Sequence, residues 1–594
     1  MDTRRLILAT VVSALVLLGF DYFMPKNPPP PPVHGTVQAG QTVPADSHIQ
    51  TQAKPATPET APDETGPELR LAVDAKDVMG SVRLRGALLD DLVLKQYRQT
   101  VKSDSPLVRV LETPGKPRPD FVEFGWIPAE SSVKVPDRHT LWKADSDKLT
   151  SAHPVTLSWD NGAGLLFTIR LAVDDDYMFT IEQNVRNTTG SAVQLTPYSH
   201  VLRGYTPEET GGMLVHEGPI SVVNGRMTEE SYKSLREGSV APADISWSKQ
   251  GTGGWAGITD KYWLMAVVPD QAEAVTGTYG YDAASTQYRV GFVGQAPLTI
   301  GAGDSAASTM HVFAGAKEVR LLERYQSDLH IPDFWKAVDF GWLAFLTRPV
   351  FYVLDWLYTH LGNFGLALLT FTLIVKILFF PLAMKSFRSA AAMRDLQPKI
   401  QDIRARHKDD PVAMNMAVMQ LYRESGANPA SGCLPLLIQA PVFWCLYKDL
   451  YVTIEMRQAP FFGWIRDLSA PDPTNIFNLF GLLPFDPTHL SGFLLLGIWP
   501  ILYGLTMYGM QKASPAVLDP AQQRIFMMMP VMFTFFMARQ PVGLVIYYCW
   551  NNVLTIAQQL MIQRTHKAVA TGPGVISGTA REKTVKNPQI TKKK

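Results

Sequence analysis

Five apolar runs beyond about residue 350 constrain this chain more than any other feature, because segments of that kind must be buried in a very large core or in a bilayer. They cover Phe351 to Ala383, Gly432 to Val452, Phe493 to Met510, Ile525 to Ala538 and Val542 to Ile562. A sixth stretch, Leu6 to Phe23, follows Arg4 and Arg5 and is interrupted by Ser13 and Asp21. It ends in Phe20-Asp21-Tyr22-Phe23 with no small-residue cleavage site, so residues 1–24 are expected to remain as a spanning signal anchor. Six spans put both termini on one side. Whole-chain composition adds little: a net charge of +1 gives no footprint for nucleic acid.

The segment between anchor and runs is a different material. Residues 25–67 open with five consecutive prolines, Pro28 to Pro32, and stay rich in Thr, Pro, Gln and Ala, the composition of a stiffened tether. Residues 68–330 alternate in short runs with turn residues between them. Leu165 to Val173 and Tyr177 to Val185 flank Asp174, Asp175 and Asp176 as a hairpin would, and Phe121 to Ile127 and Tyr262 to Val268 are further strands. Many short strands without βαβ alternation imply a large antiparallel sandwich. It contains no cysteine; Cys433, Cys445 and Cys549 all lie in apolar runs, so neither a disulfide framework nor a zinc spacing is present. His200, His216 and the scattered acids form no pairing motif and are taken as ordinary structural residues, which argues against an enzyme. In 331–348, Trp335, Val338, Trp342 and Phe345 recur at helical spacing with Lys336 and Asp339 opposite, which predicts an amphipathic helix in the membrane interface.

Charge sets the topology. Lys385, Arg388, Arg394, Lys399, Arg404, Arg406, Lys408 and Arg423 crowd the loop 384–429, and the tail 567–594 ends in Lys592, Lys593 and Lys594. Both belong in the cytoplasm by the positive-inside bias, which places the β domain outside, in the periplasm. The loop reads as a helical hairpin with a break near Pro398 and a second helix opened by Asp410-Pro411 and closed by Gly426.

Polar residues inside the core segment 349–566 are the candidate site. Lys376 lies nine residues before Lys385, roughly 13 Å inside the cytoplasmic end, and a charge at that depth demands a wet cavity unless it snorkels out. Thr372 is one turn away on the same face. Gln439, Asn551, Asn552, Gln558 and Gln559 could line a hydrated groove with Lys376 or simply join helices. No carboxylate lies at similar depth, which argues against a proton relay. The run between Arg524 and Arg539 has about 14 residues, roughly 21 Å, and is dense in Met527, Met528, Met529, Met532 and Met537. Such a flexible apolar surface, with Phe533 beside it, suits partners of varied shape, or fills a core.

Gln397-Pro-Lys-Ile400, Asn428-Pro429 with Gly432-Cys-Leu-Pro-Leu-Leu-Ile-Gln-Ala-Pro-Val-Phe443, Arg457-Gln-Ala-Pro-Phe461, Asp467-Leu-Ser-Ala470, Met529-Pro-Val-Met-Phe533 and Pro541-Val-Gly-Leu-Val-Ile-Tyr-Tyr548 resemble the YidC/Oxa/Alb insertase family in its Gram-negative form. The resemblance implies a polytopic α-helical membrane protein with a five-helix core, a hydrophilic groove open to cytoplasm and lipid, and a periplasmic β-supersandwich. It implies no cofactor and no small-molecule substrate. Its partners would be nascent membrane proteins, the Sec translocon, ribosomes and the lipid bilayer, with the basic tail meeting RNA phosphates or anionic lipid. Thr372 and Tyr548 match positions that the family uses for client contact, and Lys376 stands where the family usually has arginine. The stretch 475–490 is an addition to the family pattern. A channel or transporter with an anion site at Lys376 is the main alternative, although neither internal repeats nor paired broken helices are present. A sugar-processing β domain is the other, since the supersandwich resembles mutarotases.

Overall fold

The computed structural model describes residues 68–208, 215–239, 244–407, 410–425, 434–481, 483, 496–513 and 520–570. The anchor expected at 1–24, the tether at 25–67 and the tail lysines Lys592, Lys593 and Lys594 lie outside these.

Period-two burial builds the first half. Strand Leu165–Val173 turns Phe167, Ile169 and Leu171 inward and pairs antiparallel with Met178–Asn187, Val173 opposite Phe179 and Leu165 opposite Asn187. Asp174 closes the turn as its carboxylate accepts from the N–H groups of Asp176 and Met178. The described strands form one sheet of eleven and one of nine, with residues of both in a common apolar core. Pairing is antiparallel except between Arg70–Asp74 and Lys148–Leu149. Asp120–Pro128 is buried along most of its length, as a strand covered on both faces must be. The buried Arg203 guanidinium is satisfied by Asp120, Asp260 and Tyr232 of helix α1 (Tyr232–Gly238), which binds three segments of the domain together. His200 is buried beside Tyr198, ring centroids 5.4 Å apart, and burial holds it well below the usual histidine range, so it is neutral. His216 Nε2 lies 2.9 Å from the Pro219 carbonyl oxygen.

Helix α2 (Val319–Asp328) follows the last strand and fastens the β domain to the helical half. Its Glu323 carboxylate accepts from Arg348 and Tyr352, and Arg320 pairs with Asp355. The Glu455 carboxylate accepts from the Val319 N–H at 3.0 Å, satisfying one open donor at the N-terminus of α2.

The amphipathic helix expected over 331–348 is not one helix. Asp333 and Gly341 both have positive φ, and between them Phe334–Ala337 makes a single 3₁₀ turn. Its Phe334 sits edge-on to Trp255 and Phe313, so Ile331, Phe334, Val338 and Phe340 belong to the sandwich core. The amphipathic helix is α3, Ala344–Leu361, with Phe351, Leu354 and Leu357 buried and Phe345, Trp356 and Leu361 exposed. The run Phe351 to Ala383 is cut accordingly. Gly362 ends α3 in the left-handed region at φ 67°, and Asn363 caps α4 (Phe364–Leu378) through its side chain to the Leu366 N–H.

Helix α5 (Phe380–Asp395) follows at a bend of 61° measured over Phe364–Leu378 and Phe380–Phe387. The loop expected as a hairpin contains α6 (Gln397–Arg406), with Pro398 in its first turn, and α7 (Pro411–Ser425), opened by Asp410 Oδ1 accepting from Val412 and Ala413. Leu396 and Ile400 pack on Val418, Leu421 and Tyr422. The remaining helices are α8 (Leu434–Val452), α9 (Ile498–Ala513), α10 (Pro520–Met537) and α11 (Val542–Ala570), the last running into the segment assigned to the tail. Of the added stretch 475–490, Ile476–Gly481 is a kinked 3₁₀ segment and residues 484–490 are not described. Among the described residues no single helix is long and apolar enough to cross a membrane, while the bent pair α4–α5 qualifies by length and composition.

Burial, helped by Glu318 and Asp355, pushes the Glu455 carboxyl up to about 7 from 4.5. An acid raised on folding costs stability only when ionised, so the cost is absent below about 4.5, grows with pH and is complete above about 7. The full cost is on the order of 3 kcal/mol. Thermal unfolding of wild type should therefore weaken from about pH 5 to about pH 8 more than that of Glu455→Gln. Parallel pH profiles would refute this account of the joint.

Candidate functional site

Helix α11 is the spine on which the polar residues of the helical half meet. Its positions 547, 551, 555 and 558 fall on successive turns of one face. The Tyr547 hydroxyl accepts from the Gln439 amide of α8. Tyr548 is half-buried among aromatic rings, with centroids 5.3 Å from Phe443, 5.6 Å from Tyr503 and 5.3 Å from Tyr547. Asn551 is buried, and its Oδ1 has no protein partner among the described residues. Thr555 then accepts from the Lys376 ammonium of α4 at 2.9 Å.

Two further bonds join α4 and α11. Trp550 Nε1 donates to the Leu369 carbonyl at 3.2 Å, and Gln558 Nε2 donates to the Lys376 carbonyl at 3.4 Å. The Lys376 carbonyl lies in the open last turn of α4 and the Leu369 carbonyl in its middle, so the two bonds tie the helices together at two levels. Among the described residues no carboxylate lies within salt-bridge distance of Lys376. The partner it has among them is the neutral Thr555 hydroxyl.

Lys376, Asn551, Tyr548 and Gln439 thus lie on or against α11. Thr372 is not available in the same way. It is 2% exposed, and its hydroxyl donates to the Leu368 carbonyl of its own helix at 2.7 Å. The methionine surface divides. Met528 and Met532 are 71% and 60% exposed and share a face of α10 with Ile525 and Phe536. Phe533 is half-buried, packing with Met529 on the cluster around Tyr503, Met507 and Cys549 while its ring lies 6.2 Å from that of Phe536. Helix α10 runs close to α9 because Gly504 has no side chain: a Cβ there would lie 2.1 Å from Thr534 Oγ1.

Sequence reasoning missed Thr555, Trp550 and the role of Tyr547. The spacing Asn551, Thr555, Gln558, at i, i+4 and i+7, was the available signal. A lone threonine in an apolar run does not register as polar, since its methyl group packs and its hydroxyl can return to its own helix. Among the described residues no group of three or more His, Cys, Asp or Glu could hold a metal ion.

Residues 70–353 match the family described as YidC periplasmic domain, and residues 356–569 match that described as 60Kd inner membrane protein. The chain is 53% identical to the membrane protein insertase YidC of Granulibacter bethesdensis, over 96% of this chain and 98% of that protein. It is 48% identical to the protein of the same name from Acidiphilium cryptum, over 83% and 84%. A crystal structure of an active YidC insertase with its first transmembrane domain resolved aligns at 18% identity and a TM-score of 0.35, covering 83% of this chain and 92% of that one.

The Gln439–Tyr547 bond should be measurable as a coupling. Tyr547→Phe strands a polar amide, which costs about 1–3 kcal/mol. Replacing both partners in Gln439→Leu/Tyr547→Phe should recover most of that loss in thermal unfolding of the detergent-solubilised protein. Additive losses would mean that the two side chains do not depend on one another.

Proposed function

This chain belongs to the YidC family of membrane protein insertases, and on that premise we propose that it draws a client's polar segment part-way across the bilayer along a groove walled by α4, α8 and α11, with Lys376 as its positive charge. It is a membrane protein insertase of the bacterial inner membrane with a periplasmic β domain. The observation that carries the groove proposal is the Lys376 ammonium, which among the described residues meets no carboxylate and is held by the Thr555 hydroxyl between two helices.

A client's translocated segment is often short and acidic, and moving it through hydrocarbon is costly. A cation part-way across attracts that segment, while Gln439, Asn551 and Tyr548 offer hydrogen bonds to its backbone. The apolar part of α10, Ile525–Met537, is shorter than a bilayer of ~30 Å requires. A membrane thinned there leaves less to cross. The client's apolar helix then leaves sideways along Met528 and Met532, whose flexible side chains adapt to many sequences. No bond is made or broken, so we assign neither enzymatic activity nor a cofactor.

The topology that serves this mechanism has six spans: the anchor at 1–24, the bent pair α4–α5, and α8, α9, α10 and α11. Both termini are cytoplasmic, and the interfacial role falls to α3, whose Phe345 and Trp356 are exposed. The partners we assign are nascent membrane proteins, the Sec translocon and ribosomes. Lys592, Lys593 and Lys594 close a tail suited to RNA phosphates. A tail-deleted chain should co-sediment less with ribosomes, with a difference that shrinks as salt rises; salt-insensitive binding would refute an electrostatic contact.

Varying the tail charge of one client tests the groove. Lys376→Arg should keep insertion, while Lys376→Ala, and more so Lys376→Glu, should lower it selectively for acidic tails. Equal losses at every tail charge would mean that Lys376 supports hydration or packing rather than pulling on charge.

A further inference from the structure

A lysine has a long flexible stem, and left to itself an ammonium in an apolar bundle swings toward the nearest water. For Lys376 that direction is the cytoplasmic side, where its helix ends at Leu378 and α5 carries Lys385 beyond the bend. The ammonium is instead drawn across to α11, 2.9 Å from Thr555 Oγ1. We propose that Thr555 is the positioning residue of the groove, holding the Lys376 charge at its depth and fixing its direction. This inference rests on the assignment of Lys376 as the groove cation.

The geometry of the hydroxyl makes the case. Thr555 Oγ1 donates its own proton to the Asn551 carbonyl, one turn back in α11, at 2.7 Å. With the proton committed to the helix backbone, the lone pairs are what the hydroxyl offers outward, and it can serve Lys376 only as an acceptor. A freely rotating hydroxyl would not be so fixed. A charge-assisted bond of this kind is about twice as strong as a neutral one, and more so away from water.

The surrounding bonds keep the acceptor within reach. Trp550 to the Leu369 carbonyl ties α11 to α4 on one side of the pair. Gln558 to the Lys376 carbonyl ties them at the lysine itself. Sliding or rotating one helix against the other would break both, so the ammonium meets Thr555 in one register only. An ammonium has three N–H donors, and Thr555 takes one. The other two remain for water or for a client's carboxylate, on the wall that also holds the buried, unpartnered Asn551 Oδ1.

On this account the groove needs its charge at a set depth, and charge alone is insufficient. The test uses the full-length protein in proteoliposomes and one client with either a neutral or an acidic translocated tail. Thr555→Val keeps the branched shape but lacks the acceptor; it should lower acidic-tail insertion by roughly tenfold relative to neutral-tail insertion. Thr555→Ser should stay within about twofold of wild type. Thr555→Ala, which also lacks the acceptor, serves if the valine chain fails to accumulate. In a Lys376→Ala background, Thr555→Val should do nothing more.

Equal loss for both tails, failure of serine to rescue, or a further loss in the Lys376→Ala background would each overturn the proposal in favour of a structural role. A tail-selective Lys376→Ala beside a wild-type-like Thr555→Val would overturn the positioning role alone and leave the groove cation standing. A Lys376→Ala without tail selectivity would overturn both.

Discussion

A cation among apolar helices must be solvated by something, and most of the helical half of this protein can be understood from what solvates Lys376. The ammonium is bonded to the Thr555 hydroxyl, which is bonded to the Asn551 carbonyl. That chain of dipoles runs along α11, and the same helix receives Gln439 through Tyr547 and presents Tyr548 to Phe443 and Tyr503. Had the charge met a carboxylate, the pair would have been neutral overall and useless for attracting an acid. Neutral dipoles stabilise the cation without cancelling its field, which is what an attracting site in a low-dielectric wall requires.

The β domain is tied to the helical half at its joint. Glu323 of α2 receives Arg348 and Tyr352 of α3, Arg320 reaches Asp355, and Glu455, just beyond α8, accepts from the first N–H of α2. Lys448 of α8 also reaches the Asp339 carboxylate and carbonyl. Charged and helix-end groups meet on both sides of α3. Because Ile331, Phe334 and Phe340 are part of the sandwich core, the boundary between the two halves lies inside the aromatic segment 331–348 and not before it.

Much of this was legible in the sequence, for physical reasons that also explain the failures. The hairpin at Asp174 was visible because period-two alternation and an aspartate turn are local signals that agree. Helix α7 was visible because Asp410-Pro411 writes its own start. The cut at Gly362-Asn363 was missed because a window averaged over an apolar run dilutes two residues that each carry strong local meaning, a left-handed C-cap and an N-cap. The aromatics at 331–348 have helical spacing, but tertiary burial of Phe334 against Trp255 decides their structure, and no local pattern reports a neighbour 79 positions away. Polar candidates could be named from depth alone, yet their partners could not. Whether Thr372 faces a groove or bonds Leu368 depends on one χ1 rotation.

The geometry around Lys376 suits a lysine. A guanidinium is planar and spreads five donors over a rigid fork, so a buried arginine needs several acceptors disposed in its plane. The acceptor observed here is one hydroxyl at 2.9 Å, its lone pairs turned outward by the bond to Asn551. A single well-aimed acceptor suits a compact ammonium, whose remaining donors can rotate about the Cε–Nζ bond to follow a moving ligand. On the proposed function the site requires positive charge held at a set depth, and the fork geometry of arginine is dispensable, because what would pass the site is a succession of different segments and not one ligand of fixed shape. Thr555 supplies on α11 the direction that the lysine side chain lacks.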